Sequence, residues 1–239
     1  MDDLNAPKNL PTHVGIIMDG NRRWAKMHHL PVSVGHSNGA ENFKKIALYA
    51  AKIGLKYLTV YAFSTENWSR AQAEVDALLG LFKKYLSSSF QELEKHNTKI
   101  NFLGDISKFD QKLQELLRQT EQKTHHNTGM QLNIALNYGS HHEITQATQN
   151  IAKKVLDGKI KPEEITPETI SQNLYTAGMP ELDLVIRTGN EQRLSNFLLW
   201  QAAYAEFYFT PVMWPEFNEN EFNQAMVEYS RRTRKFGGK

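Results

Sequence analysis

An acidic side chain followed by basic ones stands where the first predicted strand of the chain ends. Residues 14–18 form an apolar run, Asp19 follows that run directly, and Arg22 and Arg23 come shortly after it. In open α/β sheets, ligands bind at the carboxyl ends of the strands, where helix N-termini present N–H donors to anions. A carboxylate beside two guanidinium groups at such a position indicates a magnesium-bound phosphate, although Asp-Gly-Asn is also an ordinary turn sequence.

Two further predicted strands end in clusters of the same kind. The β-rich run 57–63 leads into the polar residues 64–70, and the run 182–186 leads into residues 187–196. Because the carboxyl ends of parallel strands share one edge of a sheet, we expect the three clusters to converge. Together they would offer a carboxylate, several guanidinium groups and hydroxyl donors, which suit a magnesium diphosphate. The alternative is a set of solvated loop charges.

Strands that alternate with helices must position these clusters. The predicted strands cover residues 14–18, 57–63, 99–103, 130–138, 182–186 and 207–210. The predicted helices cover residues 20–29, 35–53, 73–96, 110–124, 141–156 and 197–204, and two more begin at Thr166-Pro167 and near Asn220. This alternation predicts an α/β fold with a mostly parallel sheet that is covered by helices on both faces.

The predicted helix 73–96 carries a broad apolar stripe. Its members recur at helical spacing: Val75, Leu78, Leu79, Phe82, Leu86, Phe90 and Leu93. Such a stripe is most often core, because an amphipathic helix buries one face. Its length and aromatic content would also suit the wall of a hydrophobic tunnel, and the sequence leaves both interpretations open.

Composition limits the class of protein. The chain has 239 residues, of which 40% are hydrophobic, and its formal net charge is +2. We expect a flexible N-terminus over residues 1–12 and a single domain over residues 13–239, because no Pro/Gly/Ser-rich linker divides the chain. The chain contains no cysteine, which excludes disulfides and thiolate metal sites and fits the cytoplasm. The small net charge gives no argument for nucleic-acid binding, and no apolar run reaches the length of a membrane span.

Several familiar phosphate-binding motifs are absent from the sequence. It has no Walker A motif, no GxGxxG after a strand and no DxD after the first strand, which disfavours P-loop kinases, dinucleotide enzymes and aspartyl-phosphate phosphatases. The paired histidines at 28–29, 125–126 and 141–142 are better read as surface residues than as metal ligands, because adjacent helix residues point in different directions.

Taken together, these stretches resemble the cis-prenyltransferase family, and most of all its bacterial members that make undecaprenyl diphosphate. The resemblance runs through HVGIIMDGNRRWAK, YLTVYAFSTENWSR, NTGMQLNIALNYG, LYTAG, DLVIRTG, EQRLSNFLLWQAAYAEFYFTPVMWP and RKFGG, and covers nearly the whole chain from His13 onward. It implies a six-stranded, mostly parallel sheet surrounded by about seven helices, with a hydrophobic tunnel. It also implies a homodimer that condenses isopentenyl diphosphate successively onto farnesyl diphosphate with cis geometry, to supply the lipid carrier for cell-wall polysaccharides.

The resemblance implies a role for each matching residue. Asp19 matches a magnesium and diphosphate residue, Asn67 matches an asparagine with a part in proton removal, and Glu206 matches a second magnesium-associated carboxylate. Gly20, Asn21, Arg22 and Arg23 match the loop that binds the allylic diphosphate. The other expected substrate-binding residues are Trp24 and His36, the second-loop residues Ser64, Thr65, Glu66, Trp68 and Arg70, and Leu194. Those expected to form the isopentenyl diphosphate site are Arg187, Arg193 and Ser195.

Further expectations concern the surroundings of the enzyme. The resemblance implies a Mg²⁺ cofactor, a cytoplasmic location at the inner face of the membrane, and transient membrane association for product release. It also implies that a terminal segment, here Lys235-Phe236-Gly237, completes the diphosphate site of the neighbouring subunit.

The sequence departs from the commonest family pattern at a few positions, which bear on diphosphate geometry. Arg22, Asn190 and Ser140 stand where glycine is common, Ala71 replaces a usual proline, and Val32 and Lys235 replace frequent arginines. Two alternatives stay open: a cis-prenyl diphosphate synthase with a shorter product, and a non-catalytic partner subunit of a heteromeric prenyltransferase.

Overall fold

A single six-stranded sheet organises the chain. The computed structural model describes residues 10–88 and 90–232, without the side chains of residues 87–91. The strands are β1 (His13–Ile17), β2 (Tyr57–Ser64), β3 (Lys99–Leu103), β4 (Gln131–Tyr138), β5 (Leu184–Arg187) and β6 (Glu206–Phe209). Their order across the sheet is β3-β4-β2-β1-β5-β6, and every neighbouring pair is parallel. The predicted α/β class is confirmed, and the sheet is wholly parallel.

Eight α-helices lie within the described residues, one more than the approximate number expected. They are α1 (Asn21–Met27), α2 (Val32–Lys52), α3 (Gln72–Ser88), α4 (Phe90–Lys95), α5 (Gln111–Thr124), α6 (Ser140–Leu156), α7 (Pro167–Ser171) and α8 (Glu219–Arg231). In this part of the chain, none of them combines the length and the apolar character that crossing a bilayer requires.

Local capping fixes several helix ends. The Asp110 side chain accepts a hydrogen bond from Leu113 N at 2.8 Å and begins α5. Thr166 caps α7, with Pro167 as the first helical residue, as the sequence predicts. Asn218 accepts from Asn220 N at 2.9 Å and begins α8. These side-chain oxygens satisfy N–H groups that have no partner inside the helix.

Apolar side chains cover both faces of the sheet. Val14, Ile16, Val60 and Ile186 belong to the larger core cluster, which α2, α3, α5 and α8 also build. Val185 belongs to a smaller cluster on the other face, formed with the chain around residues 197–202. Alternate strand residues point to opposite faces, so a sheet buried on both sides needs apolar residues at nearly every position.

One helix prediction is confirmed on both sides of residue 89, and another is wrong in part. The helix predicted over 73–96 corresponds to α3 and α4, and residue 89 between them lies outside the described residues. Residues 197–204 form turns followed by a 3₁₀ turn at Gln201–Tyr204.

The backbone explains why residues 197–204 do not form an α-helix. Ser195, Asn196 and Leu198 have φ values of 48°, 64° and 47°. A right-handed helix requires negative φ at each residue, so the chain cannot continue as one through this stretch. Leu199 N instead donates to Ser140 Oγ at 2.7 Å, a tertiary hydrogen bond that the local apolar pattern could not reveal.

Candidate active site

A cavity of about 850 Å³ opens at the carboxyl edge of the sheet. The register places Ile17 of β1 opposite Tyr61 of β2 and Arg187 of β5, so the ends of these three strands lie side by side. The polar lining residues are Asp19, Asn21, Arg22, Arg23, His36, Ser64, Glu66, Asn67, Arg70, Arg187, Glu191, Arg193, Ser195 and Asn196. The three polar clusters therefore converge on one cavity.

Asp19 and Arg187 are in contact at the floor of the polar end. Arg187 Nη2 donates to Asp19 Oδ2 at 2.9 Å, and Arg23 Nη2 lies 3.2 Å from Asp19 Oδ1. The Arg187 side chain is only 4% exposed, whereas that of Asp19 is 28% exposed and faces the cavity. A guanidinium so deeply buried needs a fixed partner, and Asp19 supplies it.

The backbone at Asp19 is held in place by Thr188. Asp19 N donates to Thr188 Oγ1 at 3.0 Å, and Thr188 Oγ1 donates to Asp19 O at 2.7 Å. Gly20 follows with φ of 112°, and a Cβ on it would lie 2.9 Å from Met213 Cβ. Glycine is required there both by the positive φ and by this close approach.

Arg187 also organises the loop that follows β5. Its Nη1 donates to Ser195 Oγ at 2.8 Å and to Arg193 O. Glu191 in the same loop joins two further cations, because Oε1 lies 3.3 Å from Arg23 Nη1 and Oε2 accepts from Arg193 Nη1. Asp19, Arg23, Glu191 and Arg193 thus form a row of alternating charges along the cavity lining.

Glu74 collects a second group of cations. Its carboxylate lies 3.0 Å from Arg70 Nη1, 3.4 Å from His36 Nε2 and 3.7 Å from Arg22 Nη1. Burial is the largest influence on His36 and lowers its pKa, although the nearby Glu74 carboxylate opposes this effect. The lowered pKa favours the neutral form of His36.

The loop after β2 is tied to the loop after β5 by Asn196. Asn196 Nδ2 donates to Glu66 Oε1 at 2.9 Å, and Asn196 Oδ1 accepts from His141 N at 2.9 Å. Burial acts to raise the pKa of the Glu66 carboxyl, but hydrogen bonds, first among them the one from Asn196, outweigh it and hold the pKa below its usual value. Asn67 Oδ1 accepts from Ser64 N at 3.1 Å, which fixes the Asn67 amide at the cavity wall.

Three buried polar atoms of the cavity residues lack a hydrogen-bond partner. They are Asn21 Oδ1, His36 Nε2 and Arg187 Nε. Buried polar groups are normally paired, and unpaired ones commonly mark functional positions. Their position beside five arginines, Arg22, Arg23, Arg70, Arg187 and Arg193, suits a polyanionic ligand.

The opposite end of the cavity is apolar. Leu78, Leu79 and Phe82 of α3 line it, together with Phe43, Val60 and Leu136. Other members of the stripe, Val75 and Leu86, are buried in the core. The stripe therefore serves both as core and as the wall of the apolar cavity, so each of the two interpretations holds for part of it.

Some of the expected contacts lie outside the cavity lining. Trp24 Nε1 donates to Glu216 Oε1 at 2.8 Å, and the Trp24 ring packs on His28 with centroids 4.4 Å apart. Trp68 Nε1 donates to Asn137 Oδ1 at 2.8 Å, and its ring packs against Phe63. Thr65 and Leu194 also fall outside the lining. Roles for these residues as substrate contacts stay predictions.

Glu206 is not brought together with Asp19 within one chain. It begins β6 and pairs with Leu184, whereas Arg187 pairs with Phe209 at the other end of the strand. Strands rise about 3.3 Å per residue, so Glu206 lies roughly 10 Å from the edge that carries the cavity. Its carboxylate accepts from Arg232 Nη1 at 2.8 Å, and this hydrogen bond raises the pKa of Arg232. A metal-binding role for Glu206 stays a prediction.

The donor set at Asp19 fits a magnesium ion carried by a substrate. Mg²⁺ is usually bound through one or two carboxylates together with substrate phosphates and waters. Within the described residues, no group of three or more His, Cys, Asp or Glu side chains could hold a metal by itself. The partly exposed carboxylate of Asp19, with Arg23 and Arg187 beside it, suits such shared coordination. The paired histidines do not contribute to such a group.

Three residues of the site were not assigned a role from the sequence. Glu191 lies in the cluster after β5, and the alternation of charges around Arg193 could have indicated it. Asn196 lies in the same cluster, but its partner Glu66 is 130 positions away. Glu74 lies in the first turn of α3, where acidic residues are common because of the helix dipole, so no sequence signal distinguishes it.

The terminal segment Lys235-Phe236-Gly237, expected to complete the diphosphate site of a neighbouring subunit, lies outside the described residues.

Comparisons with known proteins agree with this geometry. The family model described as putative undecaprenyl diphosphate synthase matches residues 17–237. The chain is 49% identical over 232 residues to ditrans,polycis-undecaprenyl-diphosphate synthase ((2E,6E)-farnesyl-diphosphate specific) of Pasteurella multocida, covering 97% of each chain. It is 50% identical to the protein of the same name from Haemophilus ducreyi, covering 97% of this chain and 96% of that one.

Solved structures show the same fold. A lavandulyl diphosphate synthase from Lavandula x intermedia, in complex with dimethylallyl diphosphate, superposes with a TM-score of 0.93 at 39% identity, covering 96% of this chain and 99% of that one. A probable undecaprenyl diphosphate synthase from Campylobacter jejuni gives a TM-score of 0.78 at 34% identity, covering 97% and 100%. With a family model over most of its length and relatives near half identity, the chain belongs to the cis-prenyltransferase family of undecaprenyl diphosphate synthases.

Proposed function

We propose that this protein is a magnesium-dependent undecaprenyl diphosphate synthase, which condenses isopentenyl diphosphate successively onto farnesyl diphosphate with cis geometry. The observation that carries the proposal is the contact between Asp19 and the buried Arg187 at the polar end of a cavity whose far wall is apolar. An isoprenoid diphosphate has a polyanionic head and a hydrocarbon tail, so it requires a cationic and an apolar environment in one cavity. The product is the precursor of the lipid carrier for cell-wall polysaccharides.

The two diphosphates occupy different parts of the polar end in this proposal. The allylic diphosphate binds at the start of α1, near Asn21 and Arg23, with His36 and Arg70 on its other side. Isopentenyl diphosphate binds at Arg187, Arg193 and Ser195. His36 and Arg70 share Glu74, whereas Arg193 shares Glu191 with Arg23, so Arg23 links the two proposed sites.

Charge stabilisation is the main chemical task of the site. When the allylic carbon–oxygen bond breaks, negative charge develops on the diphosphate and positive charge on the allyl group. Bound Mg²⁺ would neutralise part of the diphosphate charge, and Asp19 would hold it there. Near a protein surface, one cation at 4 Å contributes on the order of 4 kcal/mol, so Arg23 and Arg70 are each worth a large factor in rate.

Other residues of the cavity orient the substrate or exclude water from it. Asn67 Oδ1 already accepts a hydrogen bond from Ser64 N, which supports an orienting role for Asn67 during removal of the proton from the condensing isopentenyl unit. The apolar wall formed by Leu78, Leu79 and Phe82 keeps water away from the allyl cation. Without that exclusion, water would capture the cation and end chain growth.

Assembly as a homodimer is part of the proposal. Helix α5 covers the free edge of the outer strand β3. Ile100 N of β3 donates to Thr124 Oγ1 of α5 at 3.0 Å, and Phe102 N donates to Glu121 Oε1 at 2.9 Å. The other outer strand, β6, carries Phe207 and Phe209, whose rings stack with centroids 6.0 Å apart, and Phe209 is 36% exposed. An aromatic edge strand of this kind suits a second copy of the chain.

Product release is expected to involve a membrane. Each added isoprene unit could gain roughly 4 kcal/mol on burial, at about 0.8 kcal/mol per carbon. Eleven units would then exceed the affinity ceiling of about 20 kcal/mol, so the tail cannot stay fully bound. This supports a cytoplasmic enzyme that associates transiently with the inner face of the membrane.

One assay tests the proposed reaction. The purified chain is incubated with farnesyl diphosphate, Mg²⁺ and radiolabelled isopentenyl diphosphate, and the product length is read by chromatography, with and without liposomes. A product of eleven isoprene units is expected, formed faster when liposomes are present. A shorter product would favour a shorter-chain synthase. No product from the chain alone would favour a non-catalytic partner subunit.

A further inference from the structure

Glu74 contacts two arginines and a histidine that come from three different parts of the fold. Arg22 lies in α1, His36 in α2, and Arg70 directly after the turn that follows β2. Arg70 Nη1 and His36 Nε2 lie 3.0 Å and 3.4 Å from the same oxygen, Oε1, and Arg22 Nη1 lies 3.7 Å from Oε2. The Glu74 side chain is 16% exposed, which is low for a surface carboxylate. These contacts make Glu74 the common partner of the group.

The same three side chains line the cavity, whereas Glu74 is not among the lining residues. Glu74 therefore contacts Arg22, His36 and Arg70 without lining the cavity itself, and the cavity gives access to the other three. Like charges brought this close repel one another strongly in a partly buried site. A single carboxylate relieves that repulsion while no substrate anion is present.

His36 gives a second indication that the group is not fully satisfied. Its Nε2 is buried without a hydrogen-bond partner, even though it lies within ion-pair distance of Glu74. A phosphate oxygen in the cavity could accept the hydrogen bond that Glu74 does not. The same holds for Arg22, whose 3.7 Å distance to Glu74 is long for a hydrogen bond and whose side chain is 59% exposed.

We propose that Glu74 is a positioning residue that competes with the allylic diphosphate for Arg22, His36 and Arg70. It keeps the two arginines and the histidine together when no diphosphate is bound, and it lowers the affinity of the cavity for diphosphate. The inference rests on the proposed diphosphate site and adds a residue that sets its affinity. Removing the negative charge at position 74 should therefore tighten diphosphate binding, whereas a residue that only supported the fold would weaken it.

Calorimetric binding of inorganic pyrophosphate tests this directly. The measurement is made at low salt with EDTA, so that no metal at Asp19 contributes. Glu74→Gln should lower Kd about tenfold, which corresponds to about 1.4 kcal/mol. Glu74→Asp keeps the charge but withdraws it from the cations, so its Kd should fall between those of Glu74→Gln and the native chain. Glu115→Gln removes an exposed carboxylate on α5 that contacts Arg118 and Gln119 of the same helix, and should leave Kd unchanged.

The outcomes separate this inference from the proposed function. In turnover, Glu74→Gln should lower KM for farnesyl diphosphate by a larger factor than it changes kcat. Equal or weaker pyrophosphate binding by Glu74→Gln overturns the inference, and so does a Kd for Glu74→Asp at or above the native value. If Glu74→Gln does not fold, the comparison of Glu74→Asp with the native chain decides alone. If the native chain and both Glu74 variants fail to bind pyrophosphate, the diphosphate site itself is wrong and the inference falls with it.

Discussion

Arg187 Nη2 donates a hydrogen bond to Asp19 Oδ2 at 2.9 Å, although the two residues are 168 positions apart in the sequence. Arg187 ends β5 and Asp19 follows β1, and these neighbouring strands run in the same direction. The contact therefore joins the expected metal residue to the expected isopentenyl diphosphate site. We expect the binding of both diphosphates to depend on it.

Arg187→Lys should impair the enzyme despite keeping the positive charge. The planar guanidinium contacts Asp19, Ser195 and the Arg193 carbonyl at once, which a single ammonium group cannot reproduce. We expect KM for isopentenyl diphosphate to rise at least tenfold, measured by steady-state kinetics. Arg118→Lys, at an exposed position on α5, is the matched control and should behave like the native chain. Native kinetics in Arg187→Lys would show that these three simultaneous hydrogen bonds of the guanidinium are unimportant.

Arg22 is expected to supply the cation that is missing at Val32. Arg22 lines the cavity, and Val32 begins α2, which packs against α1. Arg22→Gly should weaken binding of farnesyl diphosphate several-fold, and Val32→Arg in that background should restore it. Kd values for the native chain, both single variants and the double variant form a double-mutant cycle. Additive effects in that cycle would count against compensation.

Replacing the side-chain amide of Asn196 with a carboxylate should impair catalysis. Asn196→Asp places a carboxylate against Glu66, where the native amide donates a hydrogen bond at 2.9 Å. Repulsion between the two carboxylates should separate the loops and lower kcat/KM by tenfold or more. Adding Glu66→Gln should recover part of the loss, because the glutamine can donate to the new aspartate. An Asn196→Asp enzyme with native kcat/KM would mean that the link between the loops is dispensable.

The sequence predicts the convergence of the three strand ends but not the ion pairs that organise them. Convergence follows from alternating strands and helices, because parallel strands share a carboxyl edge. Glu74 and Asn196 could not be assigned, since their partners depend on how helices and loops pack. Residues 197–204 were misjudged because their apolar pattern fits a helix, whereas Leu198 within the stretch has a positive φ that a right-handed helix does not allow.

The stability of the fold should decrease as the pH falls below about 6.5. His13 is buried, and burial lowers its pKa, although a hydrogen bond with Pro180 O and the Asp183 charge oppose this. An unfolded histidine has a pKa of about 6.5, so below that pH the unfolded chain binds a proton that the folded chain excludes. The free energy of unfolding from urea titrations should therefore be smaller at pH 5.5 than at pH 7.5.

The variant His13→Asn isolates this contribution. His36 shifts in the same direction, whereas burial raises the pKa of the Glu143 carboxyl, which makes stability fall as the pH rises through its range. Removing His13 should reduce the difference in unfolding free energy between pH 5.5 and pH 7.5, whatever it does to stability at either pH. An unchanged difference would show that His13 does not contribute to the pH dependence.

The central claim is that Asp19 holds the magnesium diphosphate, and the turnover rate of Asp19→Ala tests it most directly. Incorporation of radiolabelled isopentenyl diphosphate onto farnesyl diphosphate is measured with saturating Mg²⁺, beside circular dichroism of the same sample. The account predicts an unchanged circular dichroism spectrum and a rate below one tenth of the native rate, a loss of more than about 1.4 kcal/mol in transition-state stabilisation. A folded Asp19→Ala enzyme that keeps more than one tenth of the native rate would contradict it.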